Sequence, residues 1–317
     1  MVKPCELLRG KSQEEDMKRA LVTGSEGDVG RVLLPQLAKH FDATGFDLRP
    51  HEGPMKVAQG NLLAYDAVSA AMEGMDAVAH IAAALPGRAS DAHGAFVDAN
   101  VKATTHLLQA AVEKGVRRFV YCSTVWASGH GFTEQYQPID EAVPCAPVCM
   151  YGVTKWLGEL MTEYYGRMHG LETVVLRFCG YNAVAGYDEN GEINWETADI
   201  PALFLRYLGA GFKLMNPVDL GEAFRLSIEN PAAAGERFVI GCYTPYTSTD
   251  VAGLRSMPAA IVDKYYPGAT DLLRELGIAI PPVQYLFDHE KARTRLGFRS
   301  QHDLGDLVRM YREWKTG

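Results

Sequence analysis

The sequence predicts an α/β protein built on a doubly wound parallel sheet. Three observations predict it. Short apolar runs alternate with helical patterns through the first half of the chain, a glycine-rich turn joins the first run to the first helix, and the second run ends in an acid. Strands alternating with helices form βαβ units, whose right-handed crossovers put helices on both faces of the sheet.

The elements follow in order. Strands are expected at Ala20–Thr23, Ala43–Asp47, Val57–Gln59, Ala77–Ile81, Arg118–Ser123 and Thr173–Leu176. Val29–His40 has apolar residues at Val29, Val32, Leu33 and Leu37, one face of a helix. A second helix is expected over Phe96–Lys114, ended by Gly115. A third opens at Tyr151, with Leu157, Leu160, Met161, Tyr164 and Met168 among its apolar positions. Beyond about Arg177 the pattern changes. Tyr181–Ile200 is polar and rich in Gly, Asn and Glu and reads as a long loop. Prolines punctuate the remainder, which does not readily extend a regular sheet. Short helices are expected at Leu220–Glu229, Ala269–Leu276 and Leu304–Trp314. The organisation expected is an N-terminal arm over 1–16, a dinucleotide-binding domain over 17–180, and a smaller, mainly substrate-binding lobe over 181–317 with some segments returning to the first domain.

Composition narrows the function. The chain has 317 residues, 47% of them hydrophobic, and a net charge of −8 with no block of Lys and Arg. A surface that tracks nucleic-acid phosphates needs clustered cations, so nucleic acid is not an expected partner. Six scattered cysteines read as reduced thiols rather than a disulfide framework. No apolar run is long enough to span a bilayer, and the first residues lack the apolar core of a secretory signal, so a cytoplasmic protein is expected. No His, Asp, Glu or Cys cluster has ligand spacing, and no metal is expected.

Candidate cofactor residues come first. Thr23-Gly24-Ser25-Glu26-Gly27-Asp28-Val29-Gly30 joins strand to helix. Three glycines spaced by three suit a backbone that turns sharply and approaches a pyrophosphate, which the helix N-terminus then receives. Asp47 ends the second strand, where a carboxylate can accept both adenosine ribose hydroxyls and repel a 2′-phosphate. NAD is therefore favoured over NADP, although Arg49 lies two residues on.

The candidate catalytic residues are Tyr151 and Lys155, four apart and so on one helix face. A neighbouring ammonium favours phenolate, and a lowered phenol pKa is expected. Ser123 and Thr124 end the fifth strand at the sheet edge that faces ligands in open α/β folds, where a hydroxyl can bond the reacting oxygen.

These residues resemble the extended branch of the short-chain dehydrogenase/reductase family, the nucleotide-sugar epimerase/dehydratase group. The likeness runs closely from Lys18 to about Asn182. Thr23–Gly30 is similar to the family's TGxxGxxG loop, and Asp28 departs from it by placing a carboxylate beside the phosphates. Gly60-Asn61-Leu62 stands where the family has Gly-Asp-Leu, whose acid contacts adenine. His80-Ile81-Ala82-Ala83 resembles a stretch lining the cofactor, and Asn100 resembles the Asn that steadies sheet and helix near the site. The resemblance makes Thr124 the catalytic hydroxyl, with Tyr151 and Lys155 as the family's YxxxK; Leu48 joins the cofactor set beside Asp47. It also implies a homodimer through Phe96–Lys114 and Tyr151–His169.

Family members acting on nucleotide sugars carry a Gly-Asp-Gly…Arg-Asp stretch before a Val-x-Asp motif. Here only Pro217-Val218-Asp219 remains. The expectation is therefore an NAD-dependent oxidoreductase acting on a secondary alcohol of a free sugar or sugar acid, with Leu85, Arg88, Trp126, His130 and Asn182 as candidate substrate contacts. The alternatives are a nucleotide-sugar 4-epimerase or dehydratase with tightly held NAD and, from another class, a non-catalytic NAD-sensing protein. Retention of both Tyr151 and Lys155 speaks against the last.

Overall fold

The computed structural model describes residues 19–87, 93–129, 136–180, 188, 190, 192–209 and 216–317. Its elements, in chain order, are β1 (Arg19–Thr23), α1 (Gly30–Ala38), β2 (Asp42–Asp47), β3 (Val57–Gln59), α2 (Tyr65–Ala71), β4 (Ala77–His80), α3 (His93–Val97), α4 (Ala103–Glu113), β5 (Arg118–Thr124) and α5 (Met150–His169). There follow β6 (Glu172–Phe178), α6 (Ile200–Gly209), α7 (Pro217–Glu229), β7 (Glu236–Ile240), α8 (Val251–Ser256), α9 (Pro258–Tyr265), α10 (Ala269–Glu275) and α11 (Leu304–Thr316).

The seven strands form one sheet in the order β3-β2-β1-β4-β5-β6-β7. Every pairing is parallel, with Thr23 opposite His80 and Thr124 opposite Phe178. Chain order reverses between β1 and β4, so a crevice opens beyond their carboxyl ends, where ligands bind in such sheets. The central strands are apolar on both faces because helices cover both: all four residues of β4 are buried. Leu33, Leu37, Leu220 and Phe224 of α1 and α7 pack on one face. Val68, Leu107, Leu108 and Ala111 of α2 and α4 pack on the other. The first core runs on without a break into Leu254, Val262, Leu273 and Tyr311 of the C-terminal helices.

Three expectations are corrected. The region after residue 181 does extend the sheet: Glu236–Ile240 pairs in parallel along β6. Its short Glu-Arg-Phe-Val-Ile run becomes a strand because the open edge of β6 supplies its hydrogen bonds. The helix expected over Phe96–Lys114 is also not uniform. A π-helical turn over Asp98–Lys102 separates α3 from α4. The expected start of α7 at Leu220 moves back to Pro217, where Asn216 caps the helix by accepting the Asp219 amide at 2.8 Å. Among the described residues, no helix is long and apolar enough to cross a membrane.

Asp219 is 1% exposed. Its Oδ1 accepts the Gln301 amide at 2.8 Å, and its Oδ2 has no hydrogen-bond partner among the described residues. Burial pushes its carboxyl up to about 7 from an ordinary 3.8, against the two backbone bonds that favour the anion. The folded pKa is raised, so a stability cost builds as pH rises from the unfolded value and is complete above about 7. Asp219→Asn should thus stabilise the fold above that pH by about 2 kcal/mol, with no gain in acid. Urea unfolding midpoints at the two ends of this range check it.

Candidate active site

The glycine loop is held by contacts that exclude side chains. Gly24 has φ +74°, and a Cβ there would lie 2.7 Å from Ala82 Cα. A Cβ on Gly30 would lie 2.1 Å from the Gly24 carbonyl oxygen. The Gly24 amide bonds the Phe46 carbonyl at 2.8 Å, tying the loop to β2. Arg31 is the first amide of α1 with a carbonyl four residues back, at Gly27. The amides of Asp28, Val29 and Gly30 therefore precede the ladder. The N-cap residue of this helix, Val29, offers no side-chain hydrogen bond, whereas Cys149, Asn216 and Asp303 cap α5, α7 and α11. A helix N-terminus at the mouth of the sheet fits a dinucleotide's phosphates. Asp28 lies exposed at the loop surface.

Asp47 ends β2 at 8% exposure. Its Oδ2 accepts the Glu26 amide at 2.9 Å, and its Oδ1 accepts the Arg49 amide at 3.0 Å and Arg49 Nε at 3.3 Å. The carboxylate is thereby fixed at the loop, where the adenosine ribose of a dinucleotide would bind. Leu48 beside it is 65% exposed. Asn61 is exposed, and its Oδ1 accepts the Leu63 amide at 2.9 Å, closing its own turn. The Leu62 carbonyl is in contact with the His106 ring at 2.9 Å.

Two buried polar residues lock the carboxyl end of β4. The His80 ring bridges Thr23 and Thr104 hydroxyls at 2.8 and 2.9 Å. Thr104 spends its one hydrogen on the Asn100 carbonyl at 2.7 Å, so His80 Nε2 donates and Nδ1 accepts from Thr23. Burial, and then Lys155, hold His80 well below its ordinary pKa, consistent with this neutral tautomer. Asn100 sits in the π turn. Its Oδ1 accepts the Ala84 amide at 2.7 Å, and its Nδ2 donates to the Ala84 carbonyl at 3.2 Å and to Thr154 Oγ1 at 3.0 Å. It therefore joins the segment carrying Ala82 and Ala83 to α5, one residue from Lys155.

The predicted trio converges at the ends of β5 and α5. Thr124 is 7% exposed, accepts the Trp126 amide at 3.3 Å, and has its hydroxyl on the side of the Tyr151 phenol, where it favours the phenolate. Lys155 is 2% exposed, with Nζ 4.3 Å from the centroid of the Tyr121 ring. Burial pulls its ammonium down to about 8, opposed by Cys122 and Glu159. The expected lowering of Tyr151 is corrected. Its phenol is raised above its ordinary value by burial first and then by Cys122, with Thr124 working the other way. The desolvation cost of a buried phenolate exceeds what its neighbours return. In the protein alone, Tyr151 holds its proton.

Ser123 differs in a second way. Its Oγ donates to Glu159 Oε1 at 2.5 Å rather than joining Thr124. Glu159 is wholly buried and also binds Arg177 through Nε and Nη2, at 2.9 and 2.8 Å. This anchor was not read from the sequence. The available signal was Glu159 itself, an acid eight residues after Tyr151 and four after Lys155, on the same helix face. Leu85 and Trp126 are 38% and 45% exposed beyond β4 and β5. Arg88, His130 and Asn182 lie outside the described residues.

Fold and site together define an α/β oxidoreductase with a dinucleotide loop and a Thr-Tyr-Lys centre. The chain belongs to the NAD dependent epimerase/dehydratase family, whose model matches residues 20–241. NAD is thus its cofactor, and the family's activity is enzymatic. It is 30% identical over 263 residues to a UDP-glucose 4-epimerase of Rhizobium meliloti (strain 1021), covering 76% of this chain and 77% of that one. It is 31% identical over 166 residues to a uronate dehydrogenase of Pseudomonas syringae pv. tomato, covering 50% of this chain and 58% of that one. A short-chain dehydrogenase/reductase superfamily protein from Agrobacterium tumefaciens, solved with bound NAD, shares the fold with a TM-score of 0.70 at 24% identity, covering 94% of this chain and 98% of that one.

Lys155 gives a check on the site's electrostatics. The fold prefers its neutral form, while the unfolded chain keeps the charge up to about 10.5. The resulting cost is complete below about 8 and fades as pH rises toward 10.5. Lys155→Met should stabilise the fold near neutrality by about 2 kcal/mol and lose that advantage in alkali. Denaturant midpoints at neutral and alkaline pH measure the difference.

Proposed function

We propose that this chain is a dehydrogenase that oxidises a secondary hydroxyl of a free sugar or sugar acid with NAD. The observation that carries the reading is the meeting of Thr124, at the end of β5, with Tyr151 at the start of α5, and Lys155 one turn further along that helix. A substrate hydroxyl bound between Thr124 and Tyr151 would give its proton to Tyr151 once that phenol is deprotonated. Bound NAD supplies the hydride acceptor. Lys155 bears positive charge beside the phenol and stabilises it as an anion. Because Tyr151 keeps its proton in the protein alone, oxidation should accelerate with rising pH until Lys155 loses its charge.

The free-sugar substrate is supported by the missing Arg-Asp before Pro217-Val218-Asp219 and by the uronate dehydrogenase relatives. Leu85, Arg88, Trp126, His130 and Asn182 remain the proposed substrate contacts. A second reading, nucleotide-sugar 4-epimerase, is favoured by one observation: the UDP-glucose 4-epimerase likeness spans 76% of the chain, against 50% for uronate dehydrogenase. With NAD and free sugars as reactants, a cytoplasmic setting is proposed.

NADH formation with free aldoses, uronic acids and UDP-sugars decides between the readings. Signal with a free sugar supports the dehydrogenase. Conversion of a UDP-sugar to its epimer without net NADH establishes the epimerase instead. In either case Tyr151→Phe should lower turnover by about a thousandfold while NAD still binds, and full turnover in that variant would remove Tyr151 from the chemistry.

We further propose a homodimer. Leu157, Leu160, Tyr164 and Met168 are 39%, 43%, 49% and 54% exposed at helical spacing along α5. Such a stripe suits burial against a second copy. Sedimentation should give twice the chain mass, and Leu160→Glu should return monomer.

A further inference from the structure

Cys145 is a half-buried thiol in the segment between β5 and α5. Arg177 Nη2, from β6, donates to its Sγ at 2.9 Å. Arg177 itself is wholly buried. Its Nε and Nη2 grip Glu159 side-on, at 2.9 and 2.8 Å. A guanidinium is planar and holds its five N–H groups in a fixed fork. With Nε and one Nη2 hydrogen aimed at Glu159, the second Nη2 hydrogen points off the end of the group, toward the sulfur. The adjacent Nη1 hydrogen points the same way, and Nη1 has no hydrogen-bond partner among the described residues. The end of the guanidinium therefore presents two parallel donors, one on the sulfur and one beside it. That is the geometry in which arginine receives an oxyanion.

We propose that Cys145 is an oxidation site, at which a hydroperoxide forms a sulfenic acid whose oxygen is received by Arg177 Nη1. The sulfur attacks one peroxide oxygen, so an S–O bond forms as the O–O bond breaks. The thiol proton leaves with the departing oxygen. With hydrogen peroxide the products are the sulfenic acid and one water, the sulfur losing two electrons and the peroxide gaining them.

Reactive cysteines are partly exposed and lie beside a cation, which stabilises the anionic sulfur that reacts. Cys145 meets both conditions. Burial works against the charge on Arg177, but Glu159 and then Cys145 outweigh it and raise its pKa. Cys122 is pushed up to about 11 by burial, and burial also holds the Cys242 thiol well above its ordinary value, so neither competes. Among the described residues Cys149 and Cys179 are the rivals, both half-buried. Cys149 accepts the Gly152 amide at 3.4 Å, a neutral donor at the start of α5. An oxygen on Cys145 would compete with Glu159 for Arg177, and Glu159 holds Ser123 next to Thr124. This contact geometry is independent of which sugar the protein uses.

The test treats the full chain with hydrogen peroxide, traps sulfenic acid with dimedone and maps adducts by peptide mass, in the native and the urea-unfolded protein. Cys145 should react about tenfold faster folded than unfolded, while Cys122 and Cys242 react more slowly folded. Arg177→Lys keeps a cation but loses the fork, and should remove most of the Cys145 advantage in a variant that still melts cooperatively. If that variant does not fold, the folded-to-unfolded ratio of the unaltered protein decides. A native rate at Cys145 no faster than the unfolded rate would overturn the proposal. So would adducts on Cys149 or Cys179 in preference to Cys145, or an unchanged Cys145 rate in folded Arg177→Lys.

Discussion

The seating of α5 on β5 is the constraint on which the site depends. A Cβ on Gly158 would stand 2.0 Å from the Tyr121 hydroxyl, and one on Gly152 would stand 2.5 Å from the Trp126 carbonyl oxygen. Only glycine permits this approach. It puts Tyr151 against Thr124 and lays Lys155 over the Tyr121 ring. It also buries Glu159 where Ser123 and Arg177 can reach it. Every perturbed group in the centre follows from that closeness. Lys155 is easier to neutralise and half-buried Tyr151 harder to ionise because both lose hydration there.

The glycine loop and Asn100 extend the same logic to the neighbouring strands. Ala82 packs against Gly24, Ala84 is held by both ends of the Asn100 amide, and Asn100 reaches Thr154 on α5. Phosphate loop, β4 edge and catalytic helix are therefore one rigid unit. The π turn that carries Asn100 breaks helical regularity to do this, and such turns often mark functional sites.

What was legible in the sequence was what backbone geometry or spacing demands locally. The three glycines, Asp47 at its strand end and the four-residue step from Tyr151 to Lys155 belong to this class. Of the six early strands, the inner ones were legible because central parallel strands are apolar on both faces. β7 was not, since its five residues gain a partner only from the edge of β6. The π turn was hidden because Thr154, which it serves, lies 54 residues from Asn100. The shift of Tyr151 was misjudged because adjacency to a cation can be read from spacing, whereas burial depends on the whole fold. Ser123 was matched by position, yet its hydroxyl is given to Glu159, which lies 36 residues away in the chain.

The start of α1 has a further consequence. A helix whose first amides face a bound ligand gains hydrogen bonds when that ligand arrives, so the cofactor would act as a structural part of the first βαβ unit. Anything that binds the native state alone stabilises it in proportion to its concentration. The supply of dinucleotide around this protein would then govern its lifetime against unfolding and proteolysis as well as its turnover.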